Sequence, residues 1–301
     1  MSTPKMHADE VEINISLVRQ LLESQFPQWA HLPLKAVQSA GTDHALYRLG
    51  DSMVMRLPRI VGAIKQADKE FYWLPQLAPY LPLTIPNPIA QGQPGGEYPY
   101  QWSIYGWLEG ENATLDRLTN PHQAATQLAD FISALQKIDA TNGPPSGEHN
   151  FCRGVPLIQR DSPTRAAIEA LHDLIDSSAA TAAWELALQT PTWQNPPVWI
   201  HGDFQSGNLL ATEGKISAVI DFGGLGVGDP ACDLIVAWNL LTPETRQTFR
   251  AALQSDEATW ARGRGWALSI ALIQLPYYQH TNPFLASNAR YTIEQVLSDH
   301  E

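Results

Sequence analysis

The sequence predicts an α+β fold in two lobes, a small β-rich N-terminal lobe followed by a larger, mainly helical C-terminal lobe. In the first third of the chain, short apolar and β-branched segments alternate with turn signals such as Gly41-Thr42-Asp43 and Gly50-Asp51. From Pro121 onward the pattern changes, and apolar residues recur at helical spacing, most clearly over residues 123–138. This change of period places strands before helices along the chain.

The N-terminal lobe is predicted to contain two helices and several short strands. A helix is predicted over residues 14–26, where apolar residues follow helical spacing and Pro27 lies just beyond the end. A second is predicted over residues 63–77, and Pro75 is expected to end it early because proline lacks a backbone donor. Residues 82–99 are rich in proline and glycine and are predicted to form loops. The predicted strands are residues 34–39, 45–49, 53–57 and 101–107.

The C-terminal lobe is predicted to be mostly helical, with a return to strand and loop over residues 198–222. Its predicted helices lie at residues 123–138, 163–190 and 245–301. Gly106 and Gly110 mark a joint between the lobes, since glycine is conformationally permissive. We therefore predict an N-terminal lobe over residues 1–107 and a C-terminal lobe over residues 108–301.

Composition and charge exclude several classes of function. The 301-residue chain has a formal net charge of −12, which argues against a nucleic-acid partner because phosphates require a basic surface. No apolar run is long enough for a membrane span, so no membrane partner is expected. The two cysteines, Cys152 and Cys232, are too few for a disulfide framework, and a cytoplasmic location is predicted. The segment up to Leu108 has 8 Lys+Arg and 9 Asp+Glu, whereas the segment after it has 11 Lys+Arg and 22 Asp+Glu. This acidic excess after Leu108 indicates either a role in solubility or a site for a cationic ligand.

The most informative segment contains two motifs. In the first, His201-Gly202-Asp203 is followed by Asn208, five residues after the aspartate. In the second, Asp221-Phe222-Gly223 begins thirteen residues after the asparagine. Protein kinases carry Asp and Asn at that spacing in their catalytic loop, followed by an Asp-Phe-Gly segment. The joint spacing therefore indicates phosphotransfer chemistry.

A hairpin turn at Glu213-Gly214 is predicted to bring the two motifs together. Pairing across this turn would put Asn208 opposite Val219 and make Asp221 its diagonal neighbour, about 7–8 Å away at the backbone. Asn208 and Asp221 could then hold a Mg²⁺ ion through their side-chain oxygens. Asp203, on the preceding loop, is the candidate catalytic base that deprotonates an attacking hydroxyl.

These motifs resemble those of the aminoglycoside phosphotransferase family, protein-kinase-like small-molecule kinases that include macrolide kinases. Gly202 stands where protein kinases have Arg, as it does in that family. The second motif runs directly into Gly228-Asp229-Pro230-Ala231-Cys232-Asp233, which is also typical of the family, and the chain has no Ala-Pro-Glu segment. The resemblance extends over nearly the whole chain and is most specific over residues 198–233. It implies a two-lobed protein-kinase-like fold and a Mg-ATP-dependent kinase.

The resemblance also implies a nucleotide site in the N-terminal lobe. Arg56 stands at the phosphate-contacting position of the third strand, where kinases usually have Lys, and a guanidinium can also bind phosphate. Glu70 matches the helix glutamate that orients this cation. Gly106 and Leu108 belong to a hinge whose backbone binds the base of ATP, with GTP as a possible substitute. Thr42 falls in the loop expected over the phosphates.

For the acceptor, the resemblance implies a hydroxyl of a small molecule, most specifically an aminoglycoside-type cationic sugar, and hence antibiotic resistance. The alternatives are a kinase for a macrolide, a sugar or an amino alcohol, and a non-catalytic nucleotide-binding protein. Loss of a motif residue would favour the non-catalytic alternative, and none is lost. Asp229 is expected to cap a helix that begins at Pro230. Asp233 is expected to be a buried structural acceptor rather than a catalyst.

Overall fold

A computed structural model of the chain describes residues 10–37, 41, 43–64 and 66–299. By its contacts the chain divides into two compact units. The first unit contains the described chain up to Pro79 together with Thr84–Glu109. The second contains Tyr80–Leu83 and the described chain from Gly110 onward. Each unit has its own β-structure and its own set of buried apolar side chains.

The first unit is built on a five-stranded antiparallel sheet with the strand order β1-β2-β3-β5-β4. The strands are β1 Leu34–Ala36, β2 His44–Leu49, β3 Met53–Pro58, β4 Pro88–Gly92 and β5 Trp102–Gly106. Two helices, α1 Ile15–Gln25 and α2 Gln66–Leu77, belong to the same unit. Along β3, Met55 and Leu57 are fully buried, so Arg56 between them projects from the opposite face of the sheet.

Two predictions for this unit are wrong. The segment predicted as loops over residues 82–99 contains β4, which is an edge strand beside β5. Its first residue is Pro88, a place where proline is tolerated, and its weak apolar pattern follows from its position at the edge. Pro75 lies inside α2 and does not end it early. It lies in the last turn, and Leu74 and Leu77 on either side are buried, so packing offsets the lost hydrogen bond.

The second unit is mainly helical, with short strands that flank the two sequence motifs. Its helices are α3 Pro121–Gln136, α4 Asp161–Ala170, α5 Ser177–Gln189, α6 Val236–Asn239, α7 Pro243–Leu253, α8 Glu257–Tyr278 and α9 Pro283–Ser298. Its strands are β6 Glu111–Asn112, β7 Val198–Ile200, β8 Leu209–Thr212, β9 Lys215–Val219 and β10 Gly226–Gly228. They form a three-stranded sheet, β6-β8-β9, and an antiparallel pair, β10-β7.

The segment over residues 163–190, predicted to be helical, contains two helices, α4 and α5. Asp176 caps the start of α5 by accepting from the backbone N–H of Ala179 at 2.9 Å, and such a cap marks a new helix start. None of the helices in the described part of the chain combines the length and apolarity needed to cross a bilayer. The predicted α+β class is confirmed, with the antiparallel sheet in the first unit and most helices in the second.

Candidate active site

Asp203 lies in the loop between β7 and β8, and its two carboxylate oxygens have different surroundings. Oδ2 accepts two hydrogen bonds, from Gln205 Nε2 and from Asn208 Nδ2, both at 2.8 Å. Oδ1 has no hydrogen-bond partner among the residues that the structure describes. The side chain is 26% exposed. One oxygen is therefore held by two hydrogen bonds, while the other is buried without a hydrogen bond among the described residues.

Asn208 orients this carboxylate and ends a 3₁₀ turn, Ser206–Asn208. Its Nδ2 donates to the Asp203 backbone carbonyl at 2.9 Å as well as to the Asp203 side chain. Because both contacts use the amide nitrogen, the amide oxygen is the Asn208 atom that could bind a cation. The asparagine of the motif thus links the candidate base to a candidate metal position.

The predicted pairing of Asn208 with Val219 is wrong by one residue. Val219 pairs with Leu209, and the backbone N–H of Ile220 donates to the Asn208 carbonyl at 2.9 Å. A bulge causes the shift, because Ser217 is inserted between the residues of β9 that pair with β8. Asp221 therefore directly follows the residue that is hydrogen-bonded to Asn208, and the hairpin still brings the two motifs together.

Asp221 turns the chain out of the hairpin. Its backbone is left-handed, with φ of 63°, which is uncommon for a residue with a side chain. It directly precedes a 3₁₀ turn, Phe222–Gly224. The fully buried Phe222 ring packs edge-on against His201, with ring centroids 4.5 Å apart. His201 Nε2 contacts the Ile220 carbonyl at 3.0 Å, so this histidine ties the two motifs together.

Asp233 is the structural acceptor that the sequence predicts. It is completely buried and accepts from the backbone N–H groups of His201 at 2.7 Å and of Gly202 at 2.8 Å. Burial raises the pKa of the Asp233 carboxyl, against the lowering effects of His201 and of the two backbone donors. Gly202 has a φ of +81°, and a Cβ there would lie 2.2 Å from the Gly224 carbonyl oxygen. Only glycine fits this turn.

Asp229 begins a 3₁₀ turn, Pro230–Ile235, as its predicted cap. It accepts from the Ala231 backbone N–H at 3.0 Å. It also forms an ion pair with Arg262 of α8, with Arg262 Nε 2.7 Å from Asp229 Oδ2 and both side chains buried. The sequence did not indicate Arg262, because the partner lies on a helix thirty-three residues further on. This pair fixes the exit of the second motif against α8.

The first unit contains an ion pair between the predicted residues Arg56 of β3 and Glu70 of α2. Arg56 Nη1 donates to Glu70 Oε2 at 2.9 Å, and Glu70 is almost completely buried. Tyr105 of β5 donates its hydroxyl to the same oxygen, and the Arg56 guanidinium lies 5.3 Å from the Tyr105 ring centroid. Burial, followed by the charge of Glu70, raises the pKa of Tyr105 well above its usual range. Sequence reasoning missed Tyr105.

Two more predicted residues follow in the same unit. The N–H of Gly106 donates to the Asn87 carbonyl at 2.9 Å, and that of Trp107 donates to the Ser52 carbonyl at 2.8 Å. Leu108 comes directly after these two occupied donors, and its predicted contact with the nucleotide base stays a prediction. Thr42 lies outside the described residues.

Comparison with known proteins identifies the family. A family profile described as "Phosphotransferase enzyme family" matches residues 36–266. The chain belongs to this family. Within the Phosphotransferase enzyme family, it is 38% identical over 99 residues to an aminoglycoside 3'-phosphotransferase of Escherichia coli, covering 31% of this chain and 35% of the relative. It is 29% identical over 212 residues to another aminoglycoside 3'-phosphotransferase of Escherichia coli, covering 68% and 74%.

A solved structure shows that the fold is shared. A GDP and kanamycin complex of an APH(2") enzyme matches with a TM-score of 0.75 at 16% identity, covering 95% of this chain and 99% of that one. The resemblance to aminoglycoside phosphotransferases and the kinase-like fold predicted from the motifs are thereby confirmed.

Proposed function

We propose that the chain transfers the γ-phosphoryl group of Mg-ATP to a hydroxyl of a small molecule, with an aminoglycoside-type antibiotic as the leading acceptor. The observation that carries this proposal is the asymmetry of Asp203, whose Oδ2 accepts two hydrogen bonds while Oδ1 has no hydrogen-bond partner in the described part of the chain. A base that must bind an incoming hydroxyl needs one fixed and one available oxygen.

In the proposed reaction, Oδ1 of Asp203 accepts the proton of the acceptor hydroxyl. As the acceptor oxygen forms its bond to the γ-phosphorus, the bond from that phosphorus to the β,γ-bridging oxygen breaks. The electron pair of the broken bond leaves with ADP. Gln205 and Asn208 keep the carboxylate oriented throughout, because both donate to Oδ2 and neither competes for Oδ1.

Asn208 and Asp221 are the proposed Mg²⁺ ligands. They fit this ion because one offers an amide oxygen and the other a carboxylate, and hard cations prefer oxygen ligands. When bound, Mg²⁺ neutralises charge on the nucleotide phosphates. The hydrogen bonds from Asn208 Nδ2 to Asp203 direct the amide oxygen away from the base, which supports this assignment.

In the first unit, Arg56 is the proposed contact of a nucleotide phosphate, and Glu70 and Tyr105 orient it. Gly106 and Leu108 are proposed to contact the nucleotide base through the hinge backbone, and Thr42 to lie over the phosphates. We propose that residues 1–107 form the nucleotide-binding lobe and residues 108–301 the catalytic and acceptor-binding lobe. GTP is the alternative donor.

A cytoplasmic location stays a prediction, in line with the free thiols of the two cysteines.

The acceptor is proposed to be cationic, because the acidic excess of the chain lies after Leu108. Kinases of a macrolide, a sugar or an amino alcohol are the alternatives within the same chemistry. A coupled assay of ADP release, run with a panel of these acceptor classes, tests the proposal, and the Asp203→Asn variant supplies the background rate. Acceptor-dependent ADP release by an aminoglycoside supports it. Saturable Mg-ATP binding without acceptor-dependent turnover on any class would favour the non-catalytic alternative.

A further inference from the structure

Arg153 is a cation at the candidate base that the motifs did not indicate. Its Nη2 lies 3.6 Å from Oδ1 of Asp203, the oxygen that has no hydrogen bond. The Arg153 side chain is 12% exposed. Among the described residues, Asp203 is the one carboxylate within ion-pair distance of this guanidinium. The guanidinium therefore faces the very atom that is proposed to accept the proton.

The loop around Arg153 is built to hold the residue in place. Phe151 and Cys152 both have left-handed backbones, with φ of 58° and 55°, a conformation that costs free energy in residues other than glycine. The completely buried Asn150 closes this turn: its Oδ1 accepts from the Gly147 N–H at 2.9 Å and its Nδ2 donates to the Arg153 carbonyl at 3.0 Å. The turn is thus fixed on both sides of the arginine.

Strands β7 and β10 support the same loop. The Gly154 carbonyl accepts from the Asp229 N–H at 2.9 Å, and a Cβ on Gly154 would lie 2.5 Å from Ile200. Ser146 donates its hydroxyl to the Val227 carbonyl at 3.0 Å. Because β7 leads directly into the loop of Asp203, Arg153 and the candidate base are positioned by the same pair of strands.

The surroundings of Arg153 are energetically unfavourable for its guanidinium unless another interaction compensates. Its Nε and Nη1 are buried without a hydrogen-bond partner among the described residues, and buried donors are usually satisfied. A second guanidinium, that of Arg160, is close enough that Arg153 contributes, after burial, to lowering the Arg160 pKa to about 9. An arginine kept under these conditions requires a compensating interaction, and the one carboxylate within reach belongs to the candidate base.

We propose that Arg153 is a positioning residue for phosphotransfer, which fixes Oδ1 of Asp203 in the orientation that receives the acceptor hydroxyl. Gln205 and Asn208 fix Oδ2, and Arg153 acts from the opposite side on Oδ1. At 3.6 Å the contact is longer than a charge-assisted hydrogen bond of about 2.7–2.9 Å, so Oδ1 is attracted but not occupied. This buried oxygen keeps its capacity to accept a hydrogen bond from the hydroxyl. This inference rests on the proposed function of Asp203.

The test compares Arg153→Gln and Arg153→Lys with wild type, and Arg165→Gln is the matched control. Arg165 is a more exposed arginine of the same unit that pairs with Asp161 and Glu185. We expect Arg153→Gln to lower kcat by about 10- to 100-fold, since small misplacement of a reacting group has effects of that size. The KM for ATP should stay within about twofold, Arg153→Lys should retain most activity because it keeps the charge, and Arg165→Gln should resemble wild type.

A double-mutant cycle separates positioning from an independent role. In the Asp203→Asn background, Arg153→Gln should have little further effect, because the group that it orients is already lost. Rate losses that multiply, or an Arg153→Gln kcat within about threefold of wild type, would overturn the proposal. The slow hydrolysis of ATP without acceptor is measured in parallel. This hydrolysis rate tests the role of Arg153 even if no acceptor in the panel is phosphorylated. Failure of every acceptor in the panel would count against the proposed acceptors and not against the role of Arg153.

Discussion

Asp203 and Asp233 are the same residue type in neighbouring segments, and their surroundings separate a candidate catalyst from a scaffold residue. Both oxygens of Asp233 accept backbone N–H groups, and the side chain has no exposed surface. Asp203 is 26% exposed, one of its oxygens is satisfied, and the other faces Arg153 without a hydrogen bond. A carboxylate whose two oxygens both accept hydrogen bonds is expected to be structural, whereas one with an oxygen that has no hydrogen bond is the better candidate to accept a proton. Asparagine substitutions test this comparison at both positions.

The largest effect is expected at the candidate base. Asp203→Asn should lower acceptor-dependent kcat by about 10²–10⁴-fold, because an amide cannot accept the hydroxyl proton. The fold should be unchanged, since an asparagine oxygen can still accept from Gln205 and Asn208. Steady-state ADP release measures kcat, and thermal denaturation checks that the fold is unchanged. Activity within about threefold of wild type on a good acceptor would remove Asp203 from the mechanism.

The same substitution at Asp233 should act on stability. An asparagine there would turn a donor toward a backbone N–H of His201 or Gly202, leaving buried groups unsatisfied. We expect the free energy of unfolding to fall by about 3 kcal/mol. Urea denaturation followed by circular dichroism measures it. If Asp233→Asn were as stable as wild type and lost only activity, the distinction between the two aspartates would be wrong.

Asp221→Ala should abolish Mg-dependent nucleotide binding, because a carboxylate contributes more to a divalent site than a neutral amide does. Asn208→Ala should weaken that binding by about 10-fold. It should also lower kcat, because Asn208 holds Oδ2 of Asp203. Calorimetry with ATP, with and without Mg²⁺, separates the effects. An Asp221→Ala protein with wild-type affinity for Mg-ATP contradicts the ligand assignment.

In the first unit, Arg56→Ala should raise the KM for nucleotide by about 10- to 100-fold, since hydrogen bonds to charged groups contribute about 1.5–3 kcal/mol. The KM of the acceptor should change little. Lys35→Ala, an exposed cation on β1 of the same sheet, is the matched control. Tyr105→Phe should produce a smaller effect in the same direction, because Glu70 loses one of its donors. If the Arg56→Ala defect were confined to the acceptor KM, the assignment of Arg56 to the nucleotide would be wrong.

The parts of the site that the sequence predicts are those carried by local patterns. The spacing of Asp203, Asn208 and Asp221 fixes the hairpin, but a bulge such as the one at Ser217 depends on side-chain packing and has no local signal. Tyr105 contacts Glu70 in the first unit and Arg153 contacts Asp203 in the second, each from a segment distant in sequence, so periodicity and motif spacing cannot indicate them. The edge strand β4 was missed because an edge position places little demand on its residues.

The smallest expected effect concerns the acceptor and sharpens the comparison between the two units. The chain up to Leu108 is nearly neutral, while the remainder carries 22 acidic against 11 basic residues. ATP is an anion and gains nothing from acidic surroundings, whereas a polycationic acceptor is attracted by them. Exposed charges are screened over a Debye length of about 10 Å at about 0.1 M salt.

We therefore expect the KM of an aminoglycoside to rise several-fold between low and moderate salt, and the KM of the nucleotide to rise less. A neutral sugar acceptor, measured over the same salt range, is the control. Arg153 makes this comparison sharper, because its charge beside Asp203 is positive while the surrounding unit is acidic. Long-range attraction of the acceptor then depends on the acidic residues of the unit, whereas local placement of its hydroxyl depends on the positive charge of Arg153. Salt should consequently change acceptor KM and leave kcat nearly constant. Tight, salt-independent use of a neutral acceptor would contradict the charge argument and leave the assignment of Asp203 unaffected.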